Sequence, residues 1–418
     1  MSAPALSGAP ASWRRRGACP SLARPMPTGD GLLARLNPAE GELSAAQLAD
    51  VAQAALTHGN GLVEITTRAS LQIRGLAEAG AAGFGEAIAA SGLSLRSGLP
   101  VETGPLAGLD AGAHADPRPL LHDLRRRAAA MRLAERLGPK VSVAIDDGGA
   151  LPPGASGADI RLEAIDARNW RLRTNGRMRD GLDAERAATI TLSLLQAIAR
   201  KGPDARARDL ADSDLADNDL ADDDPAMPAG GFVSDNARVK RPTRPPVGVF
   251  PLIGGRSAHG VALPFGRTGA ETLLAVARAA AGGARLRLAP SGLLAIGLPP
   301  MEAARWREAA QRHGLIAEPH DPRLAIHACA GAPACGSAHI DTQALAETLS
   351  RLPGLAGDGV SLHVFGCGKQ CARPSQPAVT LTGHADGCSI AASGVSLDDG
   401  MKAALLDAIS LHTTKATA

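Results

Sequence analysis

Five of the six cysteines fall in the last quarter of the 418-residue chain: Cys329, Cys335, Cys367, Cys371 and Cys388. Roughly 300 residues separate them from Cys19, which stands alone near the start. Four of the five make two pairs, Cys329-x5-Cys335 and Cys367-x3-Cys371, with 31 residues between the pairs. Thiolates are soft ligands, suited to zinc or to iron–sulfur clusters. Structural zinc usually takes shorter knuckles, of about two to four residues between cysteines. The intervening loops here, Ala-Gly-Ala-Pro-Ala and Gly-Lys-Gln, are small and flexible. The longer one can wrap a bulkier body and bring backbone N–H groups up to its sulfurs. The spacing favours an iron–sulfur cluster, with zinc second and free thiols third. Cys388 reads as a small buried residue, and Cys19 takes no role. Six cysteines in a chain of this length do not make a disulfide scaffold.

Composition narrows the class. Lys and Arg number 44 against 42 Asp and Glu, a formal net charge of +2, and only 2% of residues are aromatic. Such a chain offers few base-stacking platforms and no basic excess, which argues against a nucleic-acid partner. No stretch approaches the roughly 20 apolar residues of a membrane span. Arg14-Arg15-Arg16 runs into Gly17-Ala18-Cys19-Pro20 and not into the apolar run of a secretory signal. The expectation is a cytoplasmic protein with reduced thiols, without membrane or nucleic-acid partners.

The elements that must position the cysteines begin with a repeat. Gly31–Leu36 reads as a strand, Ser44 caps an amphipathic helix closed by Gly59, and Leu62–Thr66 and Leu71–Leu76 form a hairpin. The same order recurs as strand Gly260–Leu263, helix Thr272–Ala281, and strands Leu286–Ala289 and Leu293–Leu298. Aligning Val63–Arg68 with Leu286–Ser291 sets Leu71 against Leu294 and Ile73 against Ile296. The second copy is then shorter by about six residues, placed in its strand-to-helix loop. Between the copies lie a helix on Leu120, Leu121, Leu124 and Ala128, a strand Val141–Ile145 stopped by Asp146-Asp147-Gly148-Gly149, and a helix Glu185–Arg200. Residues 203–230 repeat Leu-Ala-Asp amid acidic residues and read as a disordered linker. Beyond it, strand Val360–Phe365 delivers Cys367.

His327-Ala-Cys-Ala-Gly-Ala-Pro-Ala-Cys335 with Gly366-Cys-Gly-Lys-Gln-Cys371 resembles the [4Fe–4S] signature of the sulfite/nitrite reductase superfamily. The resemblance runs from about residue 17 to 400. It implies an α+β fold of two ferredoxin-like βαββ half-domain repeats with α/β segments, the C-terminal one bearing the cluster. The implied boundaries are 17–100 and 241–302 for the half-domains, and 101–202 for a first α/β domain. Residues 203–240 are then the acidic linker and 303–410 the cluster domain. Thr66-Thr67-Arg68 with Gln72 is similar to a motif strand of that superfamily, and Pro139-Lys140 to its lysine-bearing strand. Arg15–Pro20, Pro25-Met-Pro-Thr-Gly-Asp30 and Asp146–Gly149 resemble one branch, the precorrin-3B synthases.

That branch implies an oxidoreductase of the monooxygenase type in cobalamin biosynthesis. Its substrate is a tetrapyrrole polycarboxylate, precorrin-3A, and dioxygen and an external electron donor, NADH or a redox protein, complete the reaction. The cofactors implied are a [4Fe–4S] cluster on Cys329, Cys335, Cys367 and Cys371, and a mononuclear non-haem iron for which the sequence names no ligands. Sirohaem belongs to a rival reading, a small sulfite or nitrite reductase. A second rival is a zinc-stabilised binding module. Of the cations that a sirohaem reductase needs, Arg35 and Lys140 match two; the second lysine position is Ser142, and Glu102–Asp110 holds no arginine. A macrocycle rich in carboxylates needs cations at its rim. Arg35, Arg68, Lys140 and Lys369 are the substrate-binding candidates, with Arg74 and Arg373 behind them. No catalytic acid or base stands out.

Overall fold

The computed structural model describes residues 20–154, 157–216, 231–235, 244–280, 283–352, 361–371 and 378–413. Two antiparallel five-stranded sheets form its centre. In the first, Met26–Thr28, Gly31–Leu36, Leu71–Leu76 and Leu62–Ile65 lie side by side. In the second, the equivalent strands are Gly248–Pro251, Ser257–Ala262, Gly292–Ile296 and Arg285–Ala289. Helix Ala45–His58 starts at Ser44, whose hydroxyl accepts from the Gln47 N–H at 3.1 Å while the Gln47 side chain returns to the Ser44 N–H at 2.9 Å. This reciprocal cap satisfies two orphan donors of the first turn. Leu48, Val51, Ala52 and Ala55 of that helix bury into one core with Leu273, Val276 and Ala277 of helix Ala270–Ala279.

The fifth strand of each sheet comes from the other repeat. Arg267–Gly269 pairs with Leu62–Glu64, and Glu42–Ser44 pairs with Arg285–Arg287. Each exchange carries an ion pair of opposite polarity: Arg267 on Glu64 at 2.8 Å, and Arg287 on Glu42 at 3.0 Å. The two halves are therefore interlocked around a single core.

Two sequence expectations need correction. The strand-to-helix loops are equal in length: Glu40 and Phe265 take the same positive φ, 54° and 53°, at matching positions. Part of the shortening lies after the helix and in the hairpin turn. Thr66 to Ser70 spans three turn residues, whereas Ala289 faces Gly292 across two. The extra residue shifts the register by one, so Ile73, opposite Val63, matches Ala295, opposite Leu286. A slip of one residue exchanges the faces of a strand. Leu294 and Ile296 accordingly pack into a separate core with Phe250, Leu252, Leu106 and Leu109. Gln72 and Arg74 hold the corresponding face of the first repeat, which makes that face polar.

A six-stranded mixed sheet follows the first repeat, with parallel pairing only among Val101–Thr103, Val143–Asp146 and Ile160–Ala164. Helices Arg118–Ala130 and Ala184–Arg200 cover it. The described part of the expected linker belongs to this unit: Ala205, Ala207, Leu210 and Leu215 are buried in its core. Leu210 and Leu215 of the Leu-Ala-Asp units thus act as ordinary core residues, while Ala211 is exposed. The last unit is a four-stranded sheet, Ile326–Ala328, Leu362–Phe365, Ala378–His384 and Gly387–Ser393, packed by helices Thr342–Leu349 and Asp399–Thr413. Among the described residues no helix is long and apolar enough to cross a membrane.

Candidate active site

Two parallel neighbours, Ile326–Ala328 and Leu362–Phe365, run directly into Cys329 and Cys367. Their register sets Ala328 beside Val364, and the Cys329 N–H donates to the Val364 carbonyl at 3.0 Å. The pairing therefore delivers the two cysteine loops to the same end of the sheet. His339 N–H to Gly366 O at 2.7 Å closes the first loop against the second. The Gly366 N–H donates to Cys329 Sγ at 3.2 Å. Cys335 N–H turns back to Gly331 O at 2.7 Å. Gly331 has φ of 66°, and a Cβ there would lie 2.4 Å from Thr342 Oγ1, so the loop takes only glycine at this point. Burial, and then the neighbouring Cys367, Cys335 and Cys329, hold the Cys371 thiol above its ordinary pKa. Cys371 is thus within electrostatic reach of the other three cysteines. Among the described residues, no three Cys, His, Asp or Glu side chains gather into a site for a single metal ion. Four thiols on two small-residue loops, one with a backbone N–H on its sulfur, are a donor set that an iron–sulfur cluster takes.

The polar face of the first repeat holds the longer cysteine loop. Asp30 grips Arg74 through two bonds of 3.0 Å, Oδ2 to Nε and Oδ1 to Nη2. Arg74 Nη2 also donates to the Ala334 carbonyl at 2.6 Å. Burial opposes both charges, but their mutual hydrogen bonds prevail, holding Asp30 below and Arg74 above its ordinary pKa. The Gly29 N–H reaches the same Ala334 carbonyl at 3.1 Å. Arg267 binds Glu64 and donates to the Ala330 carbonyl at 3.1 Å. Gln72, with its amide turned to suit both neighbours, donates to Glu64 at 2.8 Å and accepts from Arg35 Nη2 at 2.6 Å.

An open cleft of about 1650 Å³ lies beside this junction. Its walls are the Thr66–Arg68 turn, the Arg161 and Arg173 side of the six-stranded sheet, and the segment His320–Ala330, and Cys329 and Cys371 are among the lining residues. His327 and His363 stack there, centroids 4.6 Å apart, with Phe365 next in line at 6.1 Å. Burial, and then the neighbouring His327, push His363 down to about 3. Burial among neighbouring groups also lowers His327, although its side chain is exposed and lines the cleft. Both rings are neutral near pH 7. Most arginines of the cleft are matched by carboxylates: Arg161 by Asp146 at 2.8 Å, Arg173 by Glu163 at 2.9 Å, Arg323 by Asp321 at 2.6 Å. Arg68 and Arg244 are exposed and meet no carboxylate among the described residues; Arg244 lies 4.8 Å above the Phe250 ring.

The expected substrate residues are dispersed. Arg68 lines the cleft, while Arg35, Lys140 and Lys369 do not. Arg35 lies behind Gln72. Lys140 is exposed just before strand Val143–Asp146, and Ser142 is buried. Lys369 is exposed and bridges the two cysteine loops, its Nζ donating to Ser337 Oγ at 2.8 Å. Arg74 is a buried tie and no rim cation. Cys388 is half-buried against the third core and not sealed in it, and burial pushes its thiol up to about 11. Cys19, Arg14–Arg16 and Arg373 lie outside the described residues. Sequence reasoning missed Arg244, Glu64 and Arg267. Glu64 lies on a hairpin strand and Arg267 on a lent three-residue strand, and neither position carried a signal in the sequence.

Residues 24–91 match the nitrite/sulfite reductase ferredoxin-like half domain. The solved structure of Mycobacterium tuberculosis NirA protein shares the fold, with a TM-score of 0.67 at 18% identity over 86% of this chain and 73% of that one. The chain thus has the fold of that protein and carries one matched ferredoxin-like half domain. A precorrin-3B synthase from Sinorhizobium sp is 35% identical over 405 residues, 94% of this chain and 86% of that relative. The chain belongs to the precorrin-3B synthase family, whose members are oxidoreductases.

Proposed function

We propose that the protein converts precorrin-3A to precorrin-3B in the cleft beside the cysteine loops. The observation that carries this reading is one cleft lined both by Cys329 and Cys371 and by two cations, Arg68 and Arg244, that meet no carboxylate among the described residues. The cleft is large enough for a macrocycle. Arg68 and Arg244 would take its peripheral carboxylates by bidentate hydrogen bonds. The neutral His327–His363 stack and Phe365 would pack against a ring face without adding charge. Cys329, Cys335, Cys367 and Cys371 would hold a [4Fe–4S] cluster, with the Gly366 N–H already on one sulfur. When bound, the cluster supplies electrons one at a time.

The balance of the reaction is that of a monooxygenase. One oxygen atom of dioxygen enters the meso carbon between rings A and D as a hydroxyl. The other leaves as water, with two electrons from an external donor and two protons. The ring-A acetate oxygen bonds to the adjacent ring-A carbon, whose double bond to the meso carbon is consumed in the step, and the carboxyl proton goes to the new hydroxyl, which closes the γ-lactone without a further oxidant. The chain's residues orient the macrocycle so that this meso carbon faces the cysteine loops. In this reading the half-domains 17–100 and 241–302 frame the cleft, and 303–410 carries the cluster.

Anaerobically purified protein tests the reading. It should contain iron and acid-labile sulfide in equal amounts and show a broad shoulder in the blue without sirohaem bands. Cys371→Ser should lose the shoulder and all turnover of precorrin-3A. Zinc without sulfide, or full turnover by Cys371→Ser, would overturn it.

A further inference from the structure

We infer that Arg267 is a positioning residue for the iron–sulfur cluster, acting through the Ala330–Gly331 peptide. The inference rests on the cluster reading above. Arg267 stands on the strand that the second half lends to the first sheet, 62 residues before Cys329. Its Nε and Nη2 meet Glu64 Oε1 at 3.2 and 2.8 Å, and the same Nη2 donates to Ala330 O at 3.1 Å. Glu64 is itself held from two other sides, by Gln72 at 2.8 Å and Arg74 at 3.5 Å. The guanidinium is thereby fixed in place, and with it the Ala330 carbonyl.

The Ala330–Gly331 bond is trans, so the Gly331 N–H points away from the pinned carbonyl. Gly331 is buried, and its N–H meets no acceptor among the described residues. A buried backbone donor without an acceptor is rare in folded proteins. Gly331 lies two residues from Cys329 and against Gly366, the residue whose N–H already meets Cys329 Sγ. A sulfur atom between the two loops is the acceptor that this site supplies once a cluster is bound. Arg74 pins the other end of the loop through Ala334, one residue before Cys335. In the second half the pair is reversed: Glu42 stands at the position of Arg267, and Arg287, at the position of Glu64, bonds to it and to the carbonyls of Pro105 and Ala107. Among the described residues the arginine on the lent strand is thus particular to the pairing that reaches the cysteine loop.

Hydrogen bonds to cluster sulfurs favour the reduced, more negative state and raise the reduction potential. The test is a redox titration of the cluster followed by electron paramagnetic resonance, with iron and sulfide measured on the same samples. Arg267→Gln should lower the potential while iron and sulfide are retained. Arg267→Lys should lower it less. Glu64→Gln should also lower it, because the guanidinium loses its anchor. Charge alone predicts the opposite sign there, since a negative group is removed. Unchanged potentials, or a rise in Glu64→Gln, would overturn the inference while leaving the cluster reading intact. A wild-type protein that takes up no cluster would overturn both.

Discussion

Among the described residues Arg68 and Arg244 differ from their neighbours in the cleft by meeting no carboxylate, and in the proposed reading their charge is available to a ligand. A charge-assisted hydrogen bond contributes about 1.5–3 kcal/mol. Arg68→Ala and Arg244→Ala should each raise KM for precorrin-3A at least roughly tenfold with kcat little changed. Arg171→Ala, whose partner is Asp180, should leave KM near the wild-type value. Steady-state kinetics on the three variants decides this. Asp147 makes a second residue-scale prediction. Burial, followed by the charges of Asp146 and Asp110, raises its carboxyl to about 6. A carboxyl raised in the fold binds its proton more tightly folded than unfolded. Its contribution is therefore full below the ordinary value of 3.8 and is lost as pH rises through about 6. The difference is roughly 3 kcal/mol, from about 1.36 kcal/mol per pKa unit. Asp147→Asn keeps the oxygen that accepts from the Gly149 N–H. Denaturant unfolding at pH 5 and pH 7.5 should show a smaller drop in stability for this variant than for the wild type. The cysteines were legible because soft ligands at close spacing are rare by chance. Arg267, Glu64 and Arg74 were not, since each reads locally as an ordinary strand-edge charge. Only the tertiary pairing, across about 200 residues, brings them to the cysteine loop.

The βαββ repeat was legible at the scale of elements because both helices have buried stripes with clear stops and both hairpins are apolar. The register was not. A turn with one extra residue leaves the apolar pattern of each strand intact and changes only which strands' residues correspond. That change matters to function, because it makes the first repeat present Gln72 and Arg74 where the second presents Leu294 and Ile296. The Met26–Gly31 turn has an equally specific role. A Cβ on Gly29 would lie 2.2 Å from the Pro333 carbonyl of the longer cysteine loop. Gly29→Ala should cost about 1–3 kcal/mol through overpacking. It should also lower iron and sulfide per chain, measured after anaerobic reconstitution, while the far-ultraviolet circular dichroism stays the same.

Across the whole molecule, the cleft exists only because four units meet, the second repeat lending Arg244 and the Pro290–Ser291 turn. The first repeat contributes Arg68, the six-stranded sheet its paired arginines, and the last sheet the cysteines and stacked histidines. The exchanged strands Glu42–Ser44 and Arg267–Gly269 lock the two halves into one frame. Three-residue strands carry too little pattern to be read from sequence, which is why this interlock was invisible there. Leu210 and Leu215 within the acidic Leu-Ala-Asp stretch were hidden similarly, their burial on the second core masked by the charges around them. In the proposed function this frame presents a tetrapyrrole to dioxygen beside the cysteine loops. Mass spectrometry of the product formed from precorrin-3A, an electron donor and oxygen-18 gas tests it most directly. The account predicts a hydroxylactone carrying one labelled oxygen atom, absent when Cys371→Ser replaces the wild type. An unlabelled product, or no conversion by protein with a full cluster, would contradict it.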